Sequence, residues 1–349
     1  MRLNIYSSLK PAWHVEKIKD LREGKQIVPS QVQLIISDLC NQDCTFCSYR
    51  SESGFSSEDF AEGINHNPNR KIPTEKVLEI LDDCAAMGVK AIQFTGGGEP
   101  TVHPDHIRIF EHAQNIGLQT ALVTNGIKIK PHKVFERMEW VRVSLDAGTL
   151  ETYNRIRKSN LFQKALDSIK YLSSLNPTVG VGFVVTTENY NEIYQAALIA
   201  KNLGADYIRF SAVFSTAGIV PYEPIYGIIR EHINKAHTLE NDTFSIVDLF
   251  GDRIEDLRQG RPDYSFCGYQ QFNVYIGGNL KVYRCCTTSY THHGEVGDLS
   301  HQRFSEWFKD REPLYKSFDA RSCHHCQFRD KNKIINFMLQ KQPAHVDFV

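Results

Sequence analysis

Short apolar runs alternate with amphipathic stretches between residue 31 and about residue 214 of the chain. Each run is rich in Val, Ile, Phe or Leu and suits a strand that is buried on both faces. Residues 74–87 and 189–203 place apolar side chains at helical spacing, and a glycine that favours a helix end follows each stretch. The apolar runs are residues 32–37, 91–95, 119–124, 141–145, 179–186 and 207–213.

This alternation predicts an α/β fold, because strands that alternate with helices form a parallel sheet with right-handed crossovers. The six strand–helix repeats are too few to close an eight-stranded barrel. We therefore expect an open, partial (β/α)6 barrel. The polar segment 51–70 interrupts the pattern and predicts a loop over a site.

After about residue 215 aromatic residues, glycines and cysteines become frequent. Runs 272–276 and 281–285 flank the letters GGN and predict a β-hairpin, and residues 303–309 predict a short helix. We therefore expect four parts. They are an N-terminal extension (1–30), an α/β core (31–215), a helical connection (216–259) and a small cysteine-rich α+β extension (260–349).

Composition excludes several classes of protein. The 349 residues carry a formal net charge of −1, which argues against a dedicated nucleic-acid or membrane-surface protein. No run approaches the ~18 apolar residues of a membrane span, and no secretory signal is visible. We expect a cytoplasmic protein with no membrane or nucleic-acid partner. The 9 cysteines cluster, and an odd number in such a chain favours metal binding over a disulfide framework.

The first cysteine cluster follows the first predicted strand directly. Cys40, Cys44 and Cys47 form a C-x3-C-x2-C motif. Three thiolates on one loop bind three irons of a [4Fe–4S] cluster and leave the fourth iron open to a ligand. A zinc site calls for a fourth Cys or His nearby, and thiol–disulfide chemistry needs only two cysteines. The motif, placed after a strand in a chain of strand–helix repeats, resembles that of the radical S-adenosylmethionine (radical SAM) superfamily.

A glycine-rich segment after the second predicted strand strengthens this resemblance. Residues 95–100 read TGGGEP, which is similar to the GGE motif of that superfamily. The resemblance implies that Gly97, Gly98 and Glu99 hold the amino group of S-adenosylmethionine, since glycines let the backbone approach a ligand and a carboxylate pairs with a cation. It also implies that Phe46, before the third cysteine, lies near the adenine.

Polar residues also follow the third and fourth predicted strands. The resemblance implies that Ser144 and Asp146 bind the ribose of S-adenosylmethionine, and an equal alternative is that they cap the helix predicted over residues 149–157. Thr124 and Asn125 either face the same site or form a turn. All these residues come at the carboxyl ends of strands, where ligands bind in α/β sheets.

A second cysteine set lies in the C-terminal extension. Four thiolates suit either zinc or a fully ligated [4Fe–4S] cluster, and the spacing does not separate the two. The extension resembles the SPASM/Twitch domains of radical SAM enzymes, most closely the shorter Twitch type with one auxiliary cluster, although Leu280 stands where such hairpins often have glycine. We prefer Cys285 to its neighbour Cys286 as a ligand, because adjacent side chains on a strand point to opposite faces. The predicted ligands are Cys267, Cys285, Cys323 and Cys326.

The resemblance implies a biosynthetic oxidoreductase that cleaves S-adenosylmethionine reductively to a 5′-deoxyadenosyl radical, which abstracts hydrogen from a substrate C–H bond. An auxiliary [4Fe–4S] cluster then carries electrons, and a flavodoxin- or ferredoxin-type protein supplies them. Only residues 1–30 precede the core, too few for a leader-peptide-binding domain. We therefore expect oxidation (dehydrogenation) or epimerisation of a small polar metabolite such as a sugar, aminocyclitol or nucleoside. The alternatives are modification of a peptide or protein side chain and, more distantly, a non-catalytic metal-binding protein. The pattern singles out no catalytic acid, base or hydrogen donor.

Overall fold

A sheet with both parallel and antiparallel strands organises the computed structural model, which describes residues 5–51, 54 and 70–344. The strands are β1 (Gln31–Leu34), β2 (Ala91–Phe94), β3 (Gln119–Thr124), β4 (Trp140–Ser144), β5 (Thr178–Val185), β6 (Tyr207–Ala212), β7 (Ser245–Asp248), β8 (Asn273–Ile276), β9 (Lys281–Tyr283) and β10 (Glu295–Asp298). Within the described residues their order is β10-β9-β8-β1-β2-β3-β4-β5-β6-β7. Neighbouring strands pair in parallel along the run β8-β1-β2-β3-β4-β5-β6-β7. The pairs β8–β9 and β9–β10 are antiparallel.

Helices connect and cover the strands. The described α-helices are α1 (Val15–Arg22), α2 (Thr74–Met87), α3 (His106–Asn115), α4 (Leu150–Arg157), α5 (Phe162–Ser173), α6 (Ile193–Asn202), α7 (Tyr226–His237), α8 (Phe250–Gln259), α9 (Tyr269–Phe272), α10 (Phe304–Asp310), α11 (Glu312–Lys316) and α12 (Arg329–Met338). Helix α2 ends as its sequence predicts, because Gly88 adopts the left-handed conformation with φ 91°. None of the helices described has the length and apolar character needed to cross a bilayer.

The sheet has two different faces. One face packs against the helices. Val32, Phe94 and Val143 of the strands belong to the same apolar cluster as Ile80 of α2 and Phe110 of α3. The opposite face of β1, β2 and β4 carries partly exposed polar side chains that line a cavity. The expectation that every strand is buried on both faces is therefore wrong for these three, because their apolar residues alternate with polar ones.

The predicted fold class is confirmed, since the protein is α/β with a mostly parallel sheet that does not close. The six predicted strands match β1–β6 to within a few residues. Two further parallel strands, β7 and β8, extend the sheet beyond the six expected. The apolar pattern does not predict strand β7, because its sequence, SIVD, is short and only two of its four residues are apolar.

The cysteine-rich extension joins the core sheet. The predicted hairpin is confirmed as β8 and β9, and β8 also pairs in parallel with β1, with Gln31 opposite Asn273. In the hairpin turn Leu280 has φ 64°, a left-handed conformation that favours glycine. The backbone at position 280 therefore adopts a conformation typical of glycine, although the residue is leucine. The loop predicted over residues 51–70 lies mostly outside the described residues.

Candidate active site

A cavity of about 760 Å³ lies against the polar face of the sheet. Alternate residues of β1, β4 and β6 line it, namely Gln31 and Gln33, Arg142 and Ser144, and Arg209 and Ser211. This period of two places one face of each strand in the cavity wall. The first cysteine cluster and the glycine-rich segment after β2 also line this cavity.

Cys40, Cys44 and Cys47 lie together on the loop after β1, and none of them forms a disulfide. A turn closes the loop, with the Cys47 amide donating to the Cys44 carbonyl over 3.2 Å. Burial raises the pKa of Cys47, and burial together with the Glu99 carboxylate raises the pKa of Cys40 to about 12. Both shifts favour the protonated form of Cys40 and Cys47, and metal binding displaces these protons.

Hydrogen-bond donors lie close to the sulfur atoms of Cys40 and Cys44. The Asn125 amide nitrogen lies 3.9 Å from Cys40 Sγ, and Arg157 Nη1 lies 3.4 Å from Cys44 Sγ. Such donors stabilise thiolates bound to iron. The donor set therefore fits a [4Fe–4S] cluster with three protein ligands.

The Glu99 carboxylate joins the ends of β2 and β3. Its Oε1 accepts from the Thr101 amide (3.1 Å), the Thr101 hydroxyl (2.7 Å) and the Thr124 hydroxyl (2.6 Å). Its Oε2 accepts from the Asn125 amide over 2.7 Å. Oε2 keeps acceptor capacity for a ligand cation, because a carboxylate oxygen accepts more than one hydrogen bond. Thr124 and Asn125 thus face the site through Glu99.

The glycine-rich segment approaches the cysteine loop very closely. The Gly98 amide donates to the Ser37 carbonyl (3.2 Å) and the Glu99 amide to the Leu39 carbonyl (2.8 Å). A Cβ on Gly98 would lie 2.1 Å from the Leu39 carbonyl oxygen and 2.5 Å from the Asp38 carbonyl carbon. Both are backbone atoms, so a larger residue does not fit without moving the cysteine loop.

The structure excludes one of the two roles considered for Asp146. Thr149, and not Asp146 or Ser144, caps helix α4, because the Thr149 side chain accepts from the Thr152 amide. The helix-cap alternative is therefore wrong. Asp146 instead forms a buried ion pair with Arg157 and accepts from the Val184 amide over 2.6 Å. Both Ser144 and Asp146 line the cavity.

Arg157 is a site residue that the sequence did not reveal. It bonds Cys44 and Asp146, and its guanidinium lies 5.8 Å from the centre of the Phe46 ring. Burial opposes its charge, but Asp146 and Cys44 raise the pKa of Arg157 overall. Burial raises the pKa of Asp146. No local pattern marks Arg157, because only the fold brings the end of α4 to the cysteine loop.

The second cysteine set lines a separate cavity of about 30 Å³. Cys326 Sγ accepts from the Tyr264 hydroxyl over 3.0 Å and from the Asn332 side-chain amide over 3.7 Å. His325, between the last two cysteines, also lines this cavity. The four cysteines that meet there are Cys267, Cys285, Cys323 and Cys326.

Cys286 points elsewhere. It lines the larger cavity, and Gln327 Nε2 donates to its sulfur over 2.6 Å. In the described part of the chain no group of three or more His, Cys, Asp or Glu side chains is arranged to hold a single metal ion. An iron–sulfur cluster has a different requirement, because each of its thiolates binds a different iron.

Comparison with known proteins assigns the chain to a family. Residues 34–200 match the family model of the Radical SAM superfamily. Residues 34–200 therefore form a domain of the radical SAM superfamily, and the first cysteine cluster and the glycine-rich segment fall inside this range. Membership implies a [4Fe–4S] cluster and S-adenosylmethionine as cofactors.

Individual relatives share modest identity. An AdoMet-dependent heme synthase of Methanosarcina barkeri is 27% identical over 172 residues, which are 48% of this chain and 45% of that protein. An S-adenosylmethionine-dependent nucleotide dehydratase of Selenomonas ruminantium is 25% identical over 253 residues, 65% of this chain and 86% of that protein. The chain spans about half the length of several curated relatives that it matches, including the heme synthase.

A solved structure resembles nearly the whole chain. Streptococcus suis SuiB, crystallised with its precursor peptide SuiA, superposes with a TM-score of 0.62 at 14% identity. The superposition covers 98% of this chain and 83% of SuiB. The likeness concerns the fold, and it includes the cysteine-rich extension as well as the sheet.

Proposed function

We propose that this protein is a radical SAM enzyme that oxidises or epimerises a small polar molecule, with an auxiliary [4Fe–4S] cluster in the C-terminal extension. The observation that carries the proposal is a single polar cavity of about 760 Å³. The first cysteine cluster, the glycine-rich segment and the Asp146–Arg157 pair all line it. A cofactor and a substrate that bind in the same cavity are held close enough to react.

The roles follow from these positions. Cys40, Cys44 and Cys47 hold the cluster, and Glu99 receives the ammonium group of S-adenosylmethionine on its second oxygen. When bound, cluster and S-adenosylmethionine supply a carbon radical that removes hydrogen from unactivated C–H bonds. Phe46 lies beside the adenine and Ser144 beside the ribose in this proposal. A flavodoxin- or ferredoxin-type protein is the proposed electron donor.

The size of the cavity favours a small molecule over a peptide as the substrate in this proposal. Its volume of about 760 Å³ lies in the range of ~300–1,000 Å³ that is usual for small-molecule sites, and the cofactors take up part of it. The lining of the cavity includes Tyr6 and Lys10 from the N-terminal segment. It also includes Gln31 and Thr178, which are the first residues of β1 and β5. The similarity to a nucleotide dehydratase supports the same choice. Peptide modification stays the alternative, supported by the fold likeness to SuiB.

Cys286 bears on the choice between oxidation and epimerisation. Its thiol lines the substrate cavity, whereas Cys285 lines the smaller one. In epimerisation a thiol gives a hydrogen atom to the substrate radical, and the resulting thiyl radical is restored by one electron and one proton. In oxidation the substrate radical gives up an electron and a proton, and an auxiliary cluster held by Cys267, Cys285, Cys323 and Cys326 would supply the electron acceptor. With Cys286 as the hydrogen donor, loss of its thiol would stop epimerisation and leave oxidation intact.

Reductive cleavage of S-adenosylmethionine tests the proposal without a known substrate. The anaerobically reconstituted protein is mixed with dithionite, and methionine and 5′-deoxyadenosine are quantified. We expect both products from the wild type and a loss of at least about 100-fold in Cys44→Ala, because the cluster loses a ligand. Cys84→Ala is the matched control, since Cys84 is buried on α2 in the apolar core. Cleavage by Cys44→Ala at the wild-type rate would overturn the proposal.

A further inference from the structure

Two arginines face each other across one strand of the sheet inside the cavity. Arg142 of β4 lies opposite Gly180 of β5, and Arg209 of β6 lies opposite Gly182 of the same strand. Both arginines line the cavity. Among the described residues neither of them forms an ion pair with an acidic side chain. The proposed function assigns no role to either guanidinium.

The two glycines of β5 let side chains of the neighbouring strands pack against its backbone. A Cβ on Gly180 would lie 2.0 Å from the Tyr207 ring, so only glycine accommodates Tyr207 there. A Cβ on Gly182 would lie 3.5 Å from Arg142 Cδ, which is ordinary contact. The Tyr207 ring and the Arg142 side chain therefore pack against the β5 backbone, and the two arginines lie on the strands at either side of it.

The charge of Arg209 is poorly compensated, whereas Tyr6, Tyr207 and Asp146 outweigh burial and raise the pKa of Arg142. Arg142 Nη1 donates to the Tyr6 hydroxyl over 3.1 Å, and the Arg209 guanidinium lies 5.5 Å from the centre of the Tyr6 ring. Arg209 Nε is buried without a hydrogen-bond partner within the part of the chain that is described. Buried guanidinium groups of this kind are normally paired.

The pKa values report the same electrostatic imbalance. Burial and the Arg142 charge lower the pKa of Arg209 to about 10. Burial raises the pKa of Tyr6, but Arg142 and Arg209 outweigh it and lower the value to about 8. Both shifts arise because two like charges share a poorly hydrated space. A bound anion would offset both charges.

The whole cavity has a basic lining. Seven Lys or Arg and three Asp or Glu residues of the described chain line it. Of the acidic residues, Asp146 is paired with Arg157 and Glu99 accepts hydrogen bonds from Thr101, Thr124 and Asn125. The field inside the cavity therefore favours a negatively charged occupant.

We propose that Arg142 and Arg209 bind an oxyanion of the substrate, a phosphate or carboxylate group, deep in the cavity. This inference rests on the proposed function and narrows its substrate class from polar to anionic molecules. Arg142 precedes Ser144 by two residues on β4, which is about 6–7 Å along a strand. The anion thus lies toward the amino end of the sheet, and the rest of the substrate extends toward the cysteine loop.

Equilibrium binding of simple probes tests the inference. The reconstituted holoenzyme is titrated with ribose 5-phosphate, ribose, inorganic phosphate and acetate by calorimetry at low salt. We expect ribose 5-phosphate to bind at least about 10-fold more tightly than ribose, with affinity that falls as salt rises. Inorganic phosphate that binds more tightly than acetate identifies a phosphorylated substrate class, and the reverse order identifies a carboxylate. Failure of all anionic probes to saturate the protein overturns the inference.

Variants connect the binding to the two arginines. Arg142→Gln and Arg209→Gln should each weaken ribose 5-phosphate binding at least about 10-fold, since a charge-assisted hydrogen bond is lost. Arg209→Lys retains the charge and should recover part of the affinity, which a loss of folding would not allow. Arg137→Gln, at an exposed arginine bonded to Asn115, is the matched control and should bind like the wild type. Unchanged binding in both glutamine variants overturns the inference.

Two further measurements separate the possible failures. Methionine at saturating concentration should not displace ribose 5-phosphate, and displacement would assign the arginines to the cofactor carboxylate and overturn the inference. S-adenosylmethionine cleavage is measured on the same samples. Cleavage without anion binding contradicts only the inference, whereas anion binding without cleavage contradicts only the proposed function.

Discussion

Glu99 has a structural role as well as a proposed ligand role at the residue scale. The residue is 2% exposed, and its carboxylate accepts hydrogen bonds from Thr101, Thr124 and Asn125. These bonds fix the loops after β2 and β3 relative to each other. Oε2, which can accept a further hydrogen bond, lies where those loops meet. Loss of the carboxylate therefore affects stability and ligand binding together.

Glu99→Gln should lower the free energy of unfolding by about 1–3 kcal/mol, because an amide nitrogen cannot accept from the donors around it. It should also weaken S-adenosylmethionine binding at least about 10-fold, since the negative charge is removed. Urea denaturation and equilibrium dialysis measure the two effects. Glu136→Gln changes an exposed glutamate and serves as the control. Wild-type affinity in Glu99→Gln would show that Glu99 is only structural.

Cys285 and Cys286 provide a matched pair of variants for the auxiliary site. Cys285→Ala should remove about four irons per chain from the wild-type content of about eight, whereas Cys286→Ala should retain them. The reason is that Cys285 shares the small cavity with the other three cysteines and Cys286 does not. Iron, sulfide and zinc analysis after anaerobic reconstitution measures the outcome. About four irons and one zinc in the wild type would instead favour the zinc alternative.

At the scale of elements, the site depends on backbone contacts between the ends of neighbouring strands. The loops after β1 and β2 continue to pair past the last strand residues through Ser37, Leu39, Gly98 and Glu99. This pairing gives the cysteine loop a fixed position relative to the glycine-rich segment. A side chain at position 98 has no room, because both nearest groups are backbone.

Gly98→Ala should displace the cysteine loop and reduce the iron held by the first cluster. We expect lower iron content and a lower midpoint of thermal unfolding. Gly227→Ala is the matched control, because nothing lies within 4 Å of a Cβ at this position in α7. It should leave the iron content unchanged and stabilise the protein by about 0.5–1 kcal/mol. Normal iron content in Gly98→Ala would contradict the role of this contact.

At the scale of the whole molecule, the extension is joined to the core at both its sheet and its helices. Strand β8 covers the edge of β1, and the Asp83 carboxylate of α2 accepts from Arg303 and Ser305 at the start of α10. Burial raises the pKa of Asp83, but the bonds from Arg303 and Ser305 outweigh it and hold the pKa below its ordinary value. The extension is therefore an integral part of the fold.

Asp83→Asn should lower the free energy of unfolding by about 1–3 kcal/mol at pH 7. A group with a lowered folded-state pKa contributes stability above its unfolded pKa of about 4, and this contribution is lost as the pH falls through the folded value. The difference between wild type and variant should therefore shrink below about pH 4. Urea denaturation of the metal-free chain from pH 3 to pH 7 measures it, and a constant difference would contradict the linkage.

Asp82→Asn is the matched control for this prediction. Asp82 lies next to Asp83 on the same helix, but its side chain is 52% exposed and bonds His112 at the surface. Exposed ion pairs of this kind contribute about 0–1 kcal/mol. The two variants thus compare a surface contact with one between core and extension.

The sequence by itself determined the features that depend on neighbouring residues. Apolar runs gave six parallel strands, Gly88 gave the end of α2, and the GGN letters gave the hairpin. The C-x3-C-x2-C spacing predicts the cluster-binding loop, because three ligands on one short loop are already close before the chain folds. Such features can be predicted from the sequence because they depend on neighbouring residues and require no distant partner.

Only the tertiary structure decided which distant residues meet. It brought Arg157 to Cys44, gave Asp146 an ion pair in place of a helix cap, and separated the cavities of Cys285 and Cys286. It also placed β8 beside β1. These pairings join residues far apart in the chain, and they depend on strand order and on which face of each strand turns inward. No local pattern encodes that choice, because it is made by the packing of the whole sheet.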